Sequence, residues 1–403
     1  MIIIEQPYII ENNGKSRLIA DIIVDNKVKQ VFFEVENEYA KYLCHERSDA
    51  FLIGILNYSM RFNHNIVCKA PVTEQLLYNV NEYLIPSLVS NDNMLSSITI
   101  DAPTEAEAIK NIGGIGTGLS CGIDSFHAIH NLANSKYKSM NLTHLCINSV
   151  GSFHNGYAKY GIDRARDDVR QKAMEVAKEL NLPLIISDSN IKKEFDIYFA
   201  KNHTYYSMFA VYCMQKLWKT YYYASGITFS DFNLKNNSEN DTAFYDLLSL
   251  QCFSTRNLQL YSEGATKDRL EKTKTIINDK LVHKYLHVCC AKGYNCGVCL
   301  KCRSTLLTID ILGKLEEFKE SFDIDYYKAH RDEYIKWLYD ECKTPNPVLA
   351  TIYDALKHEF NFNFKLKHKL KLLFKKIYNK QTKYNRVKIR ILFIKISYKT
   401  KRK

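Results

Sequence analysis

Gly118-Leu119-Ser120-Cys121-Gly122-Ile123-Asp124-Ser125 lies where a Gly-rich predicted strand, residues 112–119, gives way to a predicted helix that continues to Ala133. The first N–H groups of a helix have no partner within it, and the helix dipole is positive at that end, so such a turn suits an anion. Gly122 allows the backbone to approach a phosphate closely. The stretch is neither a Walker sequence nor Gly-x-Gly-x-x-Gly. It therefore predicts a phosphate-binding loop at residues 119–125, with an ordinary Gly/Ser turn as the alternative.

Strands and helices alternate along the chain after this loop. Residues 163–180 have apolar side chains at helical spacing, and Pro183 lies just after them. Alternation of this kind predicts an α/β fold with a doubly wound parallel sheet, in which ligands bind beyond the carboxyl ends of the strands. The remaining segments are predicted as strands at 142–150, 184–187 and 221–224 and a helix at 203–219.

The N-terminal hundred residues have a different pattern. Two β-branched runs, 17–25 and 28–36, flank Asn26-Lys27 and predict a hairpin, and helices are predicted near 47–60 and 72–89. We find no catalytic motif there and interpret the region as a substrate-shaping or dimerising appendage. The predicted division is an N-terminal α+β region at 1–105, a nucleotide domain at 106–345 and a C-terminal tail at 346–403.

Five of the twelve cysteines fall within fourteen residues, which predicts a metal site rather than a disulfide framework. Four thiolates close the tetrahedral shell of Zn²⁺, as in structural sites. An iron–sulfur cluster is the alternative, but the ferredoxin spacing is incomplete because Leu306 stands where its fourth cysteine would be. The fourth ligand is ambiguous between Cys289 and Cys290, and we favour Cys290. The predicted ligands are Cys290, Cys296, Cys299 and Cys302.

The loop and the cysteine cluster together resemble the N-type ATP pyrophosphatase (PP-loop) superfamily and, over residues 112–315, the 7-cyano-7-deazaguanine synthase family. The superfamily loop reads Ser-Gly-Gly-x-Asp-Ser/Thr. Four positions match it, and Cys121 replaces the first glycine. A segment containing Thr266-Lys267 resembles the one that opens the helix before the family's zinc site. The matching loop positions are Ser120, Gly122, Asp124 and Ser125.

The resemblance implies a five-stranded adenine-nucleotide α-hydrolase-like domain with a structural zinc, and an AMP-forming ligase. A carboxylate would be adenylated by ATP, pyrophosphate would leave, and ammonia would attack. The implied roles are ATP binding by residues 119–125 (Leu119, Ser120, Cys121, Gly122, Ile123, Asp124, Ser125) and catalytic contributions from Ser120, Asp124, Ser125 and Lys267. Asp124 would hold Mg²⁺ or tie the loop to its helix. Lys267 would contact phosphate or be a plain surface charge.

Other features depart from that family. Lys201-Asn202-His203 replaces the Arg-Asn of its substrate pocket, so we expect a changed acceptor, and His203 is interpreted as a capping or exposed residue. His127 and His130 are interpreted as packing or surface residues. Two alternative functions stay open. One is an RNA-modifying enzyme that would use Cys121 as a persulfide carrier, and the other is a non-catalytic nucleotide-binding scaffold at a membrane.

The net charge of +12 comes from one end of the chain. Residues 357–403 contain 17 Lys/Arg and one acidic residue, a charge of +16, which leaves −4 for the rest. A basic amphipathic helix is predicted at 364–378, which favours an anionic membrane surface, with RNA or a solvated tail as alternatives. No secretory signal is evident and no run reaches the roughly 18 apolar residues of a spanning helix. We therefore expect a cytoplasmic protein, peripheral to the inner membrane face through its tail, with a homodimer as an open alternative.

Overall fold

The computed structural model describes residues 1–107, 109–153, 159–235, 241–343, 347–383, 386–391 and 394–399. The chain forms two compact units, Met1–Ile324 and Asp325–Lys403. Among the described residues, no helix has the length and apolar character needed to cross a membrane.

The first unit is a mixed α/β structure built on one large sheet. Its strands are β1 Ile2–Ile4, β2 Tyr8–Asn12, β3 Lys15–Val24, β4 Lys27–Glu36, β5 Ile66–Cys68, β6 Val72–Thr73, β7 Ile100–Asp101, β8 Thr104–Glu105, β9 Gly114–Gly118, β10 His144–Ser149, β11 Leu184–Ser189, β12 Trp218–Ala224 and β13 Gln259–Glu263. Its helices are α1 Asp49–Arg61, α2 Glu74–Asn79, α3 Ile85–Val89, α4 Ile123–Ala133, α5 Ile162–Glu179, α6 Ile191–Glu194, α7 His203–Cys213, α8 Asp246–Phe253, α9 Arg269–Ile276, α10 Lys280–Tyr285 and α11 Leu300–Ile311.

Five neighbouring strands of this sheet are parallel and lie in the order β13-β12-β9-β10-β11. The chain therefore starts in the middle at β9, moves outward through β10 to β11, and then returns to the other side of β9 for β12 and β13. The order in which the chain adds strands to the sheet therefore reverses between β9 and β12, although these two strands are parallel. In open α/β sheets a reversal of this kind leaves a crevice at the carboxyl ends of the strands, where ligands bind.

The N-terminal region continues the same sheet. Strand β4 pairs antiparallel with β11, where Asp188 lies opposite Glu34, and the order runs on through β3, β1, β5 and β7. The predicted hairpin is confirmed as β3 and β4. Its turn residues Asp25 and Asn26 have φ of 47° and 65°, the left-handed values that a tight hairpin turn requires.

One hydrophobic core serves both halves of the sheet. The Phe209 ring of α7 meets Phe51 of α1 edge-on at 5.5 Å and Phe33 of β4 at 6.0 Å between centroids. Helix α7 follows the parallel strand β11, whereas α1 and β4 belong to residues 1–105. The predicted boundary near residue 106 therefore does not separate two compact units, because the two sides bury their apolar side chains against each other.

Most predicted elements of the parallel half lie where the sequence places them, and α4 ends at Ala133 as expected. The predicted helix over 203–219 is wrong in its second half. Helix α7 ends at Cys213, because Trp218 already belongs to β12 and packs across β9. A Cβ added to Gly116 would lie 2.5 Å from the Trp218 ring, which explains why β9 is rich in glycine.

The second unit contains three helices and a small antiparallel sheet. The helices are α12 Ile324–Glu341, which begins at the boundary of the unit, α13 Pro347–Leu356 and α14 Phe362–Ile377. The strands are β14 Tyr378–Lys383, β15 Arg386–Ile391 and β16 Ile394–Lys399, in the order β14-β15-β16. The predicted amphipathic helix at 364–378 is confirmed as α14. Strands β15 and β16 pair with each other.

Candidate nucleotide site and metal centre

The predicted phosphate loop connects β9 to α4 beside the reversal of strand order. Cys121 adopts the left-handed conformation with φ of 58°, and its side chain is fully buried. The sulfur therefore lies in the interior and does not face a ligand at the loop. Gly122 is the N-cap of α4, and among the described residues no side chain makes a capping hydrogen bond to the start of this helix. The turn thus leaves its first N–H groups available to an anion.

The two loop serines have different surroundings. Ser120 is exposed, and its hydroxyl donates to Ser125 Oγ at 3.2 Å. Ser125 is buried, and its own hydroxyl donates to the Gly122 carbonyl at 3.0 Å. Ser120 is therefore on the exposed side of the loop, whereas the Ser125 hydroxyl holds the turn in shape.

Asp124 is paired with two cations from α9. Its Oδ2 lies 3.0 Å from Arg269 Nη1 and its Oδ1 lies 3.2 Å from Lys272 Nζ. Burial would raise the pKa of the Asp124 carboxyl, but the two positive charges outweigh burial and hold that pKa below its usual range. Lys272 is almost fully buried and also donates to the Ser225 carbonyl at 2.6 Å, at the end of β12. Asp124 and Lys272 thus tie the loop to α9 and to the neighbouring strand.

Arg269 and Lys272 were missed as site residues, although the sequence contains a signal for them. Asp268 and Glu271 form a reciprocal capping box, which fixes the start of α9 and places residues 269 and 272 on one helix face. Lys267, which was predicted to be catalytic, lies just outside this helix. Its ammonium group donates to Thr275 Oγ1 at 2.9 Å.

Three further polar residues of the first unit have local roles. The Asp231 carboxylate accepts from Thr228 N and Oγ1 and caps its own turn. His127 is fully buried, and burial, with help from Lys267 and Lys272, lowers its pKa to about 4, so it is an uncharged packing residue at neutral pH. His130 lies at the helix end, 3.9 Å from Asp279.

His203 is neither a cap nor a freely exposed residue, contrary to expectation. Its Nδ1 lies 2.7 Å from Tyr223 Oη and its Nε2 lies 2.9 Å from Asp241 Oδ1. His203 begins α7, and Tyr223 is near the carboxyl end of β12, so both lie at the edge of the sheet where the loop lies. Lys301 is close enough to lower the pKa of Asp241 and also that of Asp124. Lys301 therefore acts electrostatically on both the His203 group and the phosphate loop.

The four sulfur atoms of Cys289, Cys296, Cys299 and Cys302 all lie within 4.8 Å of one another. A tetrahedral zinc with bonds of about 2.3 Å would place them roughly 3.8 Å apart, so a small contraction would complete the site. Cys299 is the N-cap of α11 and Cys302 lies in its first turn, which fixes two of the ligands on one rigid element. The described cluster can hold a metal such as zinc.

Cys289, rather than the favoured Cys290, joins this cluster. Asn295 Oδ1 accepts from the backbone N–H groups of Val288 and Cys289, at 2.9 and 3.3 Å, and the Ala291 N–H donates to Cys289 Sγ at 3.4 Å. These bonds direct the buried Cys289 thiol inward. The prediction of Cys290 as fourth ligand is corrected accordingly.

The metal loop is joined to the phosphate loop by one backbone hydrogen bond. The His287 N–H donates to the Cys121 carbonyl at 2.8 Å. The Asn295 side-chain amide donates to the Leu286 and Ser321 carbonyls, at 2.7 and 2.9 Å, and so fixes the segment that supplies His287. The cysteine cluster therefore lies next to the predicted phosphate loop and is hydrogen-bonded to it.

Comparison with models of known protein families, with curated protein sequences and with solved structures finds no match to this chain.

Proposed function

We propose that this protein is an ATP-dependent, AMP-forming ligase that adenylates a carboxylate on a small molecule and passes the activated acyl group to a nitrogen nucleophile. The observation that carries the proposal is the position of residues 119–125. The loop joins the central strand β9 to the N-terminus of α4 beside the reversal of strand order, and no described side chain caps that helix. An anion of the size of a pyrophosphate suits such a place.

The charges around the loop support this proposal. Departure of pyrophosphate develops negative charge, which preorganised donors and cations stabilise. The loop supplies backbone N–H groups and the Ser120 hydroxyl, while Arg269 and Lys301 add positive charge at the crevice. Mg²⁺ would accompany ATP as its phosphate complex. Because both Asp124 oxygens already face cations, Asp124 is better suited to tie the loop to α9 than to bind the magnesium ion.

The metal would have a structural role in this scheme. Four thiolates leave no open position on zinc for a substrate or water, so the ion would supply rigidity rather than Lewis-acid chemistry. The residues that would hold it are Cys289, Cys296, Cys299 and Cys302.

The alternative functions receive less support from the loop. Burial raises the pKa of the Cys121 thiol to about 12, and a thiol that stays protonated is a poor persulfide carrier for an RNA-modifying enzyme. A non-catalytic scaffold would be favoured if the Cys121 side chain crowded the loop, but that side chain lies in the interior. Neither alternative has a favourable observation of comparable weight.

The test is a screen of carboxylic acids with purified full-length protein, MgATP and ammonium chloride, in which AMP and pyrophosphate are both measured. We expect both products in equal amounts with at least one acid. Ser120→Ala should lower the rate by roughly 10²–10³-fold, as for other oxyanion-type donors. Ser90→Ala, which removes an exposed hydroxyl outside the loop, is the matched control. Release of ADP and phosphate, or no release with any acid, would contradict the proposal.

A further inference from the structure

We propose that Asp241 and Asp246, positioned by His203 and Tyr223, form the binding site of the nitrogen nucleophile, taken up as ammonium or as a primary ammonium group, and that Asp246 accepts its proton. This inference rests on the proposed ligase function and names the residues that would bind the second substrate, the nitrogen nucleophile. Its chemistry is that of two carboxylates facing one cation.

An unpartnered carboxylate oxygen is the first observation. Asp246 is only 3% exposed, and its Oδ2 has no hydrogen-bond partner among the described residues. A buried carboxylate oxygen without a donor is costly, so this atom points to a donor that a ligand would supply. Asp246 lies within electrostatic reach of His203, Tyr223 and Asp241 and of Lys272, the residue that binds Asp124. The missing donor would therefore lie near His203, Asp241 and Lys272.

A fixed chain of hydrogen bonds orients Asp241. A carboxylate can only accept, so His203 Nε2 carries the proton toward Asp241 Oδ1, and the Tyr223 hydroxyl then donates to His203 Nδ1. The Ala243 N–H also donates to Asp241 Oδ1 at 2.9 Å. Burial would raise the pKa of Asp241, but the hydrogen bond from His203 holds that pKa below its usual range, so Asp241 remains an anion that attracts a cation.

The space beside Asp241 suits a small nucleophile. A small cavity with room for about one water-sized molecule is lined by Asp241, by Asp92 and Leu88 of the N-terminal region, and by Tyr245. Asp246 follows Tyr245 in the chain and is not among the residues that line this cavity. Ammonium is of that size, whereas a primary ammonium group would need its substituent to extend into the crevice. Ammonium and a primary ammonium group are both cations that donate hydrogen bonds, and the experiment below distinguishes between them.

The pKa of Asp246 suits a carboxylate that accepts a proton from ammonium. Burial raises its pKa to about 7, so its basic form is present at neutral pH and can be reprotonated. Of the two protons that ammonium loses, the first goes to Asp246 before attack. The nitrogen then forms the new C–N bond, the bond from the acyl carbon to the AMP oxygen breaks, and AMP leaves with that electron pair. The second proton passes to water.

The first test needs no acid substrate. The ¹⁵N signals of His203, assigned with His203→Asn, are followed in the full-length protein with MgATP while ammonium chloride replaces sodium chloride at constant ionic strength. We expect a saturable change that is lost in Asp241→Asn and retained in Asp163→Asn, the exposed control. The same titration with methylammonium chloride separates the two sources. A response that does not saturate, or that survives Asp241→Asn, would overturn the inference.

The second test uses an acid identified by the pyrophosphate screen and compares ammonium with hydroxylamine, whose nitrogen is uncharged at neutral pH. Asp241→Asn should raise the KM for ammonium about 10–100-fold, and Asp246→Asn should lower kcat with ammonium by about 10²–10⁴-fold. Both variants should retain turnover with hydroxylamine. Equal losses with both nucleophiles would overturn the assignment. If no acid releases AMP and pyrophosphate in the screen, that result would count against the ligase function. The ¹⁵N titration would then be the test of the Asp241 and Asp246 site.

Discussion

At the scale of single residues, Cys121 shows that a chain can depart from a motif at a position where the backbone still favours glycine. The motif has glycine at this position, and the cysteine found there in this chain adopts the left-handed conformation, with φ of 58°. An L-residue accepts this conformation at a cost of about 1–2 kcal/mol. Its buried side chain offsets part of that cost. Residue 121 therefore needs a particular backbone conformation, and the motif indicates this need only through its preference for glycine.

We expect Cys121→Gly to keep ATP affinity within about threefold, because glycine adopts the left-handed conformation freely. Cys121→Val should destabilise the protein by about 1–3 kcal/mol, since a β-branched residue at positive φ is strained, and should weaken ATP binding with it. Chemical denaturation and a fluorescent ATP analogue measure the two effects. Equal behaviour of the valine and glycine variants would show that the conformation of residue 121 does not matter.

Asp246 should leave a signature in the pH dependence of stability. Its pKa is 3.8 in the unfolded chain and about 7 in the folded protein, so between these pH values the folded protein holds a proton that the unfolded chain has released. Up to about pH 6.5 the lowered pKa of His127 contributes in the opposite sense. Asp246 itself contributes a falling slope of at most about 1.4 kcal/mol per pH unit through this range, which levels off above about 7. Asp246→Asn removes this slope, whereas Asp101→Asn, at an exposed position, keeps it. Denaturation curves from pH 4 to 8 measure the difference.

At the scale of secondary-structure elements, the link between the metal loop and the phosphate loop leads to a prediction. Residues 286–289 supply both a metal ligand and the N–H that bonds the Cys121 carbonyl. Cys289→Ser should therefore lower the zinc content, speed amide hydrogen exchange at residues 119–125 and weaken ATP binding. Cys290→Ser is the control at the adjacent position and should leave all three unchanged. If Cys290→Ser loses zinc and Cys289→Ser does not, the assignment of the fourth ligand is reversed.

The sequence predicts the type of most elements in the parallel half because their periodicity is local. The strand β9, the helix α4 and the hairpin β3–β4 follow from short patterns of glycine, apolar residues and turn residues. The pairing of β4 with β11 could not be predicted in this way, since it joins residues about 150 positions apart. The site is predictable to the same extent. The loop and the cysteine cluster are contiguous in sequence, whereas the groups around Asp124 and His203 are assembled from α9, β12 and the turn before α8.

At the scale of the whole molecule, the charge of the chain follows its division into two units. The +16 of residues 357–403 belongs entirely to the second unit. We expect a protein that lacks residues 357–403 to lose binding to vesicles containing phosphatidylserine, while ATP affinity and the melting temperature of the first unit stay unchanged. Vesicle sedimentation at two salt concentrations measures the first effect. Equal sedimentation of both proteins would contradict a membrane role, and salt-sensitive tRNA binding that disappears with the truncation would favour RNA.

The continuous sheet also has a consequence for how the protein is made. Strand β4 leaves the ribosome about 150 residues before its partner β11. At roughly 5–20 residues per second its open edge waits about 8–30 s during translation, and an unpaired edge is a site of aggregation. The hairpin has charged residues along this strand, among them Lys27, Lys29 and Glu34. These side chains would keep the nascent edge from pairing with other chains until β11 is synthesised.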